Sequence, residues 1–398
     1  ALRAVGPTPP SFPGPVKQPP HFRRFLFLSF ILLFLFWLVL YPLGQVLLGF
    51  RSLSRAQTLF RSGQLDLSQV QARRAATSLD RTQSHFNFLA STFGRLFAQD
   101  LFFRTDKLLS VFQTLSQAQL NLVQAAQIAT QVGPAILGQT NANPLAGLAD
   151  VRLYLQQAKT NLNLAQAELV KPRPRLESTP LLGVGETITN FKSTLSQSLI
   201  DVSAAESLTN LALQLLSGPK KTYLVLLQNS GELRPTGGFI EGLAFLTVDS
   251  GRLLDLEFVN VYAADGQLQG FVVPPLPIKT YLGETGWYLR DANWDPHFPS
   301  SARQVEWFVD KELNRPVQGT FALNLYFIRQ LLQVLGPVDL PALNQTLTAD
   351  NLLERAQNYH QISPTDTSTS QPDLVTAALQ AIYAQLPNLT PSTWVKLS

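Results

Sequence analysis

From Phe25 to Phe50 the chain carries no charged residue, and this run constrains what the rest can fold into. It reads F-L-F-L-S-F-I-L-L-F-L-F-W-L-V-L-Y-P-L-G-Q-V-L-L-G-F. About 20 mostly apolar residues suffice to cross a bilayer as a helix, so the run predicts a transmembrane helix over 25–50. Trp37 and Tyr41 fall where an outer interface would lie, and Pro42 with Gly44 marks a fraying end. The competing reading is a buried core helix, which is rarely this apolar on every face. A cleaved signal peptide fits poorly, because the run is too long and no clean small-residue site follows it. Arginines flank the run on both sides (Arg23 and Arg24 before, Arg51 and Arg55 after), so flanking charge does not settle orientation. A long tail can be translocated regardless of its charge, which favours an N-in, C-out arrangement.

The charge pattern points the same way. Residues 1–131 hold 13 basic and 4 acidic side chains, whereas residues 220–398 hold 12 basic and 17 acidic. The basic side lies beside the apolar run, which suggests a membrane surface as partner. The net charge of +4 is too small to mark a nucleic-acid binder, so none is expected. There is no cysteine, which excludes disulfide scaffolds, thiol catalysis and cysteine-ligated metals. There is no methionine either, even at position 1, which implies that the chain lacks its true start.

Four segments follow from this reading. Residues 1–24 form a Pro-rich cytoplasmic tail, with seven prolines in the first 20 positions. Residues 25–50 form the transmembrane helix. Residues 51–219 form an extracytoplasmic helical region. Its apolar residues recur at three- and four-residue steps, with a stop expected at Gly133-Pro134. Leu148, Val151, Leu155, Ala158, Leu162, Ala165 and Leu169 keep strict heptad spacing up to Lys171-Pro172, and a third helix runs from Val184 to Leu216. Three such stripes predict an antiparallel bundle.

Residues 220–398 predict an α/β domain, with strands near 222–228, 239–248, 253–262 and 317–323. Ser250-Gly251 reads as a tight hairpin turn. Helices are expected over 300–313, 326–335, from Thr348 to Tyr359, and near 373–386, after a polar loop at 361–372. The fold class is therefore α/β, a mixed sheet layered with helices, preceded by a transmembrane helix and an α-helical bundle. The chain stops twelve residues after the last helix, so a C-terminal truncation is expected.

No nucleophile elbow and no phosphate-binding loop of the Walker type occurs, and the four histidines are scattered. Two stretches stand out instead. In E-L-R-P-T-G-G-F at 232–239, Arg234 emerges after a strand, and Thr236, Gly237 and Gly238 shape the loop. Loops at strand ends bind ligands in open α/β sheets, and an arginine with glycine-supplied N–H groups suits phosphate. In W-Y-L-R-D-A-N-W at 287–294, Arg290 and Asp291 sit among aromatic residues. Arg303 lies in the first turn of the next helix, whose N-terminus can itself attract an anion. The plain alternative is a buried Arg–Asp pair pinning loops together.

These two stretches resemble an uncharacterised bacterial family of membrane-anchored proteins, a domain-of-unknown-function family with L-R-P-T-G-G-F and R-D-A-N-W motifs. More distantly, the α/β part is similar to the LytR-CpsA-Psr family, which transfers glycopolymers from a polyprenyl-pyrophosphate carrier to the cell wall. Arg234, Leu289-Arg290-Asp291-Ala292 and Leu335-Gly336-Pro337-Val338-Asp339 carry that similarity. It implies a bacterial cell membrane location, single-pass, with the bulk of the chain extracytoplasmic. It also implies a polyprenyl-linked glycopolymer and the cell wall as partners, and a possible glycopolymer (phospho)transferase activity. In that reading Arg234, Arg290, Arg303, Thr236, Gly237 and Gly238 hold phosphate, and Asp291 orients Arg290 or acts as a base. Magnesium is the cofactor the family implies, but its expected aspartates are not evident: Asn229, Ser230 and Gly238 occupy that neighbourhood. A non-catalytic envelope scaffold, or a sensor, with a structural Arg–Asp cluster is the alternative.

Overall fold

The structure, a computed structural model, describes residues 20–37, 41–93, 99–170, 184–362, 373–390 and 393–394. Most of the Pro-rich tail, Lys171–Pro174 and nearly all of the 361–372 loop lie outside the described residues.

The expected transmembrane helix over 25–50 is corrected. The apolar run is divided between helix α1 (Pro20–Leu35) and helix α2 (Tyr41–Arg61). Of the 16 residues of α1, His21, Arg23 and Arg24 are polar or charged, so that helix holds fewer than the about 20 apolar residues a span needs. Pro42 sits in the first turn of α2, where its missing N–H is not needed. Beyond Phe50, α2 carries Arg51, Arg55 and Arg61, and buries Leu53 and Ala56 in protein. Among the described residues no helix is long and apolar enough to cross a membrane.

Helix α2 turns into α3 (Leu65–Phe93) through Gly63, whose φ of 75° is the left-handed conformation that ends a helix most easily in glycine. The Gly63 N–H donates to the Phe60 carbonyl and the Gln64 N–H to that of Leu59. Helices α4 (Gln99–Ile136), α5 (Pro144–Val170) and α6 (Val184–Leu216) follow. The directions are legible in the side-chain bonds. Gln127 reaches Asp66 and Gln113 reaches Asp80, so α3 and α4 run antiparallel. Lys159 pairs with Glu206 at 2.8 Å and Gln166 with Ser196, so α5 and α6 do too. The heptad residues Leu148, Val151, Leu155, Ala158, Leu162 and Ala165 are buried, as their spacing predicts. Gly133-Pro134 does not stop α4, which continues to Ile136. Proline removes one hydrogen bond there, and the helix ends within the same turn.

The α/β part holds a four-stranded sheet of order β3-β2-β1-β4, from β1 (Lys221–Asn229), β2 (Phe239–Asp249), β3 (Arg252–Asn260) and β4 (Thr320–Asn324). Strands β1, β2 and β3 are antiparallel neighbours and β4 runs parallel to β1. The β2–β3 turn is Ser250-Gly251, both with positive φ, the geometry that matches the twist of a two-residue hairpin. This turn also fastens the sheet to the bundle. Arg252 donates to the Thr140 and Ala142 carbonyls, between α4 and α5.

Both faces of the sheet are covered. Leu224 and Leu226 of β1 point to the layer made by α7 (Val261–Asp265) and α8 (Phe298–Leu313). Val225 and Leu227, on the opposite face by strand alternation, meet α9 (Leu325–Leu335), α10 (Leu352–Ile362) and α11 (Leu374–Gln385). A small ribbon of β5 (Val338–Leu340) and β6 (Gln345–Leu347), not expected from the sequence, lies in this second layer. The third strand was expected to reach Tyr262. Instead Asn260 accepts hydrogen bonds from the Tyr262 and Ala263 N–H groups and starts α7.

Ala158 is fully buried in the bundle, where a larger side chain has no space. Ala158→Leu should lower stability by roughly 1–3 kcal/mol. The check is the urea midpoint, and an unchanged midpoint would contradict the close packing of α5.

Candidate functional site

Two antiparallel steps separate β3 from β1, and β4 is parallel to β1, so the last residues of all three strands lie at one end of the sheet. The loop after β1 (residues 230–238) and the segment after β3 (residues 261–297) therefore emerge side by side. The first is built on Asn229, whose Oδ1 accepts from the Gly231 N–H. The Gly237 N–H donates to the Arg234 carbonyl and the Phe239 N–H to that of Glu232. Gly238 has φ 147°, and any Cβ there would collide with the Asn229 carbonyl, so glycine is required.

Arg234 and Arg290 do converge, and they meet on a carboxylate. Arg234 donates from Nε (3.1 Å) and Nη2 (2.9 Å) to Asp291 Oδ1. Its Nη2 also reaches Glu232 Oε1 at 3.0 Å, and its Nη1 the Leu233 carbonyl. Arg290 donates from Nη1 to Asp265 Oδ2 (2.8 Å) and from Nη2 to Glu284 Oε2 (3.3 Å), with Nε 3.7 Å from Asp291 Oδ2. Its guanidinium lies 4.3 Å from the Tyr288 ring centroid and Arg234's lies 5.1 Å from that of Phe239. The Arg234 and Asp291 side chains are only 8% and 3% exposed, so this pairing is shielded from water.

The other expected phosphate ligands are placed differently. Thr236 accepts from Gln228 Nε2 at 3.1 Å and lies 3.5 Å from the Asn293 carbonyl. The Gly237 N–H is already spent on Arg234. The Gly238 carbonyl accepts from Asn293 Nδ2 at 2.8 Å. Arg303 is exposed on α8 and donates to Ser300 Oγ at 3.4 Å, not to the cluster. Asp291 is held by both arginines, and its backbone carbonyl accepts from Trp287 Nε1. The chemistry expected of magnesium finds no donor set: Asn229 bonds to Gly231 and Glu241, and among the described residues no three acidic or histidine side chains could hold a metal ion.

Sequence reasoning missed Asp265, Glu284 and Glu312. Glu312 was within reach, because it continues the buried stripe Ala302, Val305, Phe308, Val309 of α8. Its two carboxylate oxygens are buried without a hydrogen-bond partner. Burial, then the charge of Asp265, pushes its pKa up to about 8. Burial also raises Asp265, with the bond to Arg290 opposing. For Arg290, burial is the largest single influence and works against the charge, but the bond to Asp265 and the charges of Asp265, Glu284 and Asp291 together outweigh it and hold the pKa above its usual value.

The fold and site thus define a helically sandwiched α/β module with a saturated ion-pair cluster at one sheet end. Residues 218–360 match the model of a family described as a protein of unknown function (DUF4012). No curated protein and no solved structure matches the chain.

Removing Arg234 strands Asp291 in the interior. Arg234→Ala should cost about 3–5 kcal/mol, and Arg234→Lys should recover only part of that, because lysine cannot supply the fork. Chemical denaturation of both variants checks this. Glu312 titrates in the opposite sense from a paired acid. Between pH ~4.5 and about 8 the native state keeps a proton that the unfolded chain has lost, so this group makes stability fall as pH rises through that window. Glu312→Gln should be nearly neutral at pH 4.5 and stabilising by on the order of 3 kcal/mol near pH 8. Denaturation midpoints across that range read the difference.

Proposed function

We propose that the α/β module is a non-catalytic scaffold, in which the Arg234–Asp291–Arg290 cluster fixes the loops that meet a protein partner. One observation carries this reading: both guanidiniums are already engaged by carboxylates of the chain itself. The cluster brings two arginines together with Glu232, Asp265, Glu284 and Asp291. Two positive charges against four negative ones leave a surplus of negative charge, even with Glu312 protonated. A pyrophosphate would have to displace a buried carboxylate and then meet the remaining ones at close range. The loop's N–H groups offer it little, since those of Gly231, Gly237 and Phe239 already have acceptors.

The same end of the sheet presents apolar side chains to the outside. Leu233 is 85% exposed, and Phe271, Val273, Leu276 and Tyr281 on the following segment are also exposed. Large apolar side chains held outward on a rigid loop platform are the anchors that protein interfaces use. An envelope setting and a membrane partner belong to this reading, supported by the basic first third of the chain and the exposed apolar surface of α1. The LytR-CpsA-Psr-like alternative, binding or transfer of a polyprenyl-linked glycopolymer, is the outcome the test is built to detect.

A short-chain polyprenyl pyrophosphate titrated into the wild type, with and without magnesium, should give no saturable binding. Arg234→Ala and Arg290→Ala should both unfold more easily. Saturable binding that both substitutions weaken by ten- to a hundredfold would instead establish the phosphate site.

A further inference from the structure

Far from the ion-pair cluster in sequence, Trp37 just after α1, the start of α2 and the stretch of α3 from Thr77 to Phe88 line an open groove of about 530 Å³. Its α3 wall carries Asp80, Arg81, His85 and Phe88, which share one helix face by their three- and four-residue spacing. Trp37 and Tyr41 supply the other wall. The Trp37 ring stands 4.4 Å from the His85 ring at 68° and 6.0 Å from that of Phe88 at 73°; Tyr41 is 5.9 Å from His85.

Three features of this groove ask for a ligand. His85 is only 7% exposed, yet its Nε2 has no hydrogen-bond partner. A buried unsatisfied ring nitrogen is costly; the Trp37 and Tyr41 rings cover it, and a ligand atom that parts those ring contacts would relieve it. Trp37, Tyr41 and Phe88 remain between 38% and 50% exposed, so their rings can receive a cation over their faces. Asp80 and Arg81 bring opposite charges to the rim. Among the described residues the Asp80 carboxylate is bonded only to the neutral Gln113 amide, and Arg81 has no ion pair.

Aromatic faces beside a carboxylate suit an ammonium, and an unpaired guanidinium with an imidazole N–H suits a phosphate. The groove also adjoins a surface that water does not favour. Phe34, whose ring is 6.2 Å from that of Trp37, belongs to α1. On that helix Phe27, Leu28, Phe30, Leu32 and Leu33 are each more than half exposed.

We propose that this groove binds the headgroup of a zwitterionic phospholipid of the phosphocholine kind, with its acyl chains lying along α1. The trimethylammonium group sits among Trp37, Tyr41 and Phe88 near Asp80. The phosphate accepts from Arg81 and from His85 Nε2. The acyl chains cover the apolar side of α1 without requiring that helix to cross a bilayer.

The test uses the full chain and dihexanoylphosphatidylcholine at concentrations where the lipid is monomeric, read by tryptophan emission and calorimetry. Two probes separate the contributions: dihexanoylphosphatidylglycerol keeps the tails without the ammonium, and glycerophosphocholine keeps the head without the tails. The phosphatidylcholine should bind at least tenfold more tightly than either. Arg81→Ala and Phe88→Ala, both at exposed positions, should each weaken it by roughly tenfold. Trp37→Phe should abolish the emission change. The proposal is overturned if the phosphatidylglycerol binds as tightly, if the bare headgroup binds as tightly as the lipid, or if folded variants bind like the wild type. It is also overturned if no saturable binding occurs, as when a second copy of the chain covers α1.

Discussion

The buried Asp291 carboxylate, claimed by two guanidiniums, is the interaction on which the carboxyl end of the sheet depends. It lies in the single 3₁₀ turn Leu289–Asp291, which has no hydrogen-bonding sheet neighbour of its own. Arg234 ties that turn to the loop after β1, and Arg290 ties it to Asp265 at the end of α7. Three segments far apart in sequence are thus locked by one charge. The aromatic rings of Phe239 and Tyr288 lie against the guanidiniums and lower the local polarity. Water competes poorly there, so each bond is stronger, and each would be more damaging to lose.

What could be read from the sequence was whatever depends on local pattern. The heptad from Leu148 to Ala165 predicted a buried helix face, because a helix repeats its faces whatever it packs against. Ser250-Gly251 predicted its hairpin, because only a few residue types accept two successive positive φ angles. The run Phe25–Phe50 misled for the same reason. Apolarity measures the wish to leave water, and not which partner answers it. In the second half of the run protein answers it only in part: Gly49 lies close enough to Leu79 that a Cβ would approach its side chain at 3.0 Å, while Leu47, Leu48 and Phe50 stay about half exposed.

The site was half legible. Arg234, Arg290 and Asp291 stood out as charges placed among glycine and aromatic residues, and they do come together. What pattern could not supply was occupancy. Whether an arginine is free for phosphate depends on carboxylates from other segments. Asp265 is 25 residues before Arg290, in a helix that began where a strand was expected to continue. Glu284 comes from the irregular segment before the 3₁₀ turn. Counting those acids turns an anion site into one with surplus negative charge, and the functional reading turns with it.

Each helical layer on the sheet buries a carboxylate that resists ionisation. On one side it is Glu312 of α8, raised by its burial and by Asp265. On the other it is Asp373, the N-cap of α11, raised by burial and by the neighbouring Glu241. Asp373 offsets part of its burial by accepting from the Thr376 N–H at 2.7 Å and from its hydroxyl at 2.7 Å. Glu312 has no such bond. The two acids therefore differ in kind. Asp373 starts a helix, so replacing it removes a cap as well as a charge. Glu312 caps nothing; against its burial and the charge of Asp265 stand the nearby Leu289 backbone and, less strongly, the charge of Arg290, which also holds Asp265 directly. The arginine that looked most like a ligand for phosphate is thus already needed to hold the acids of its own chain.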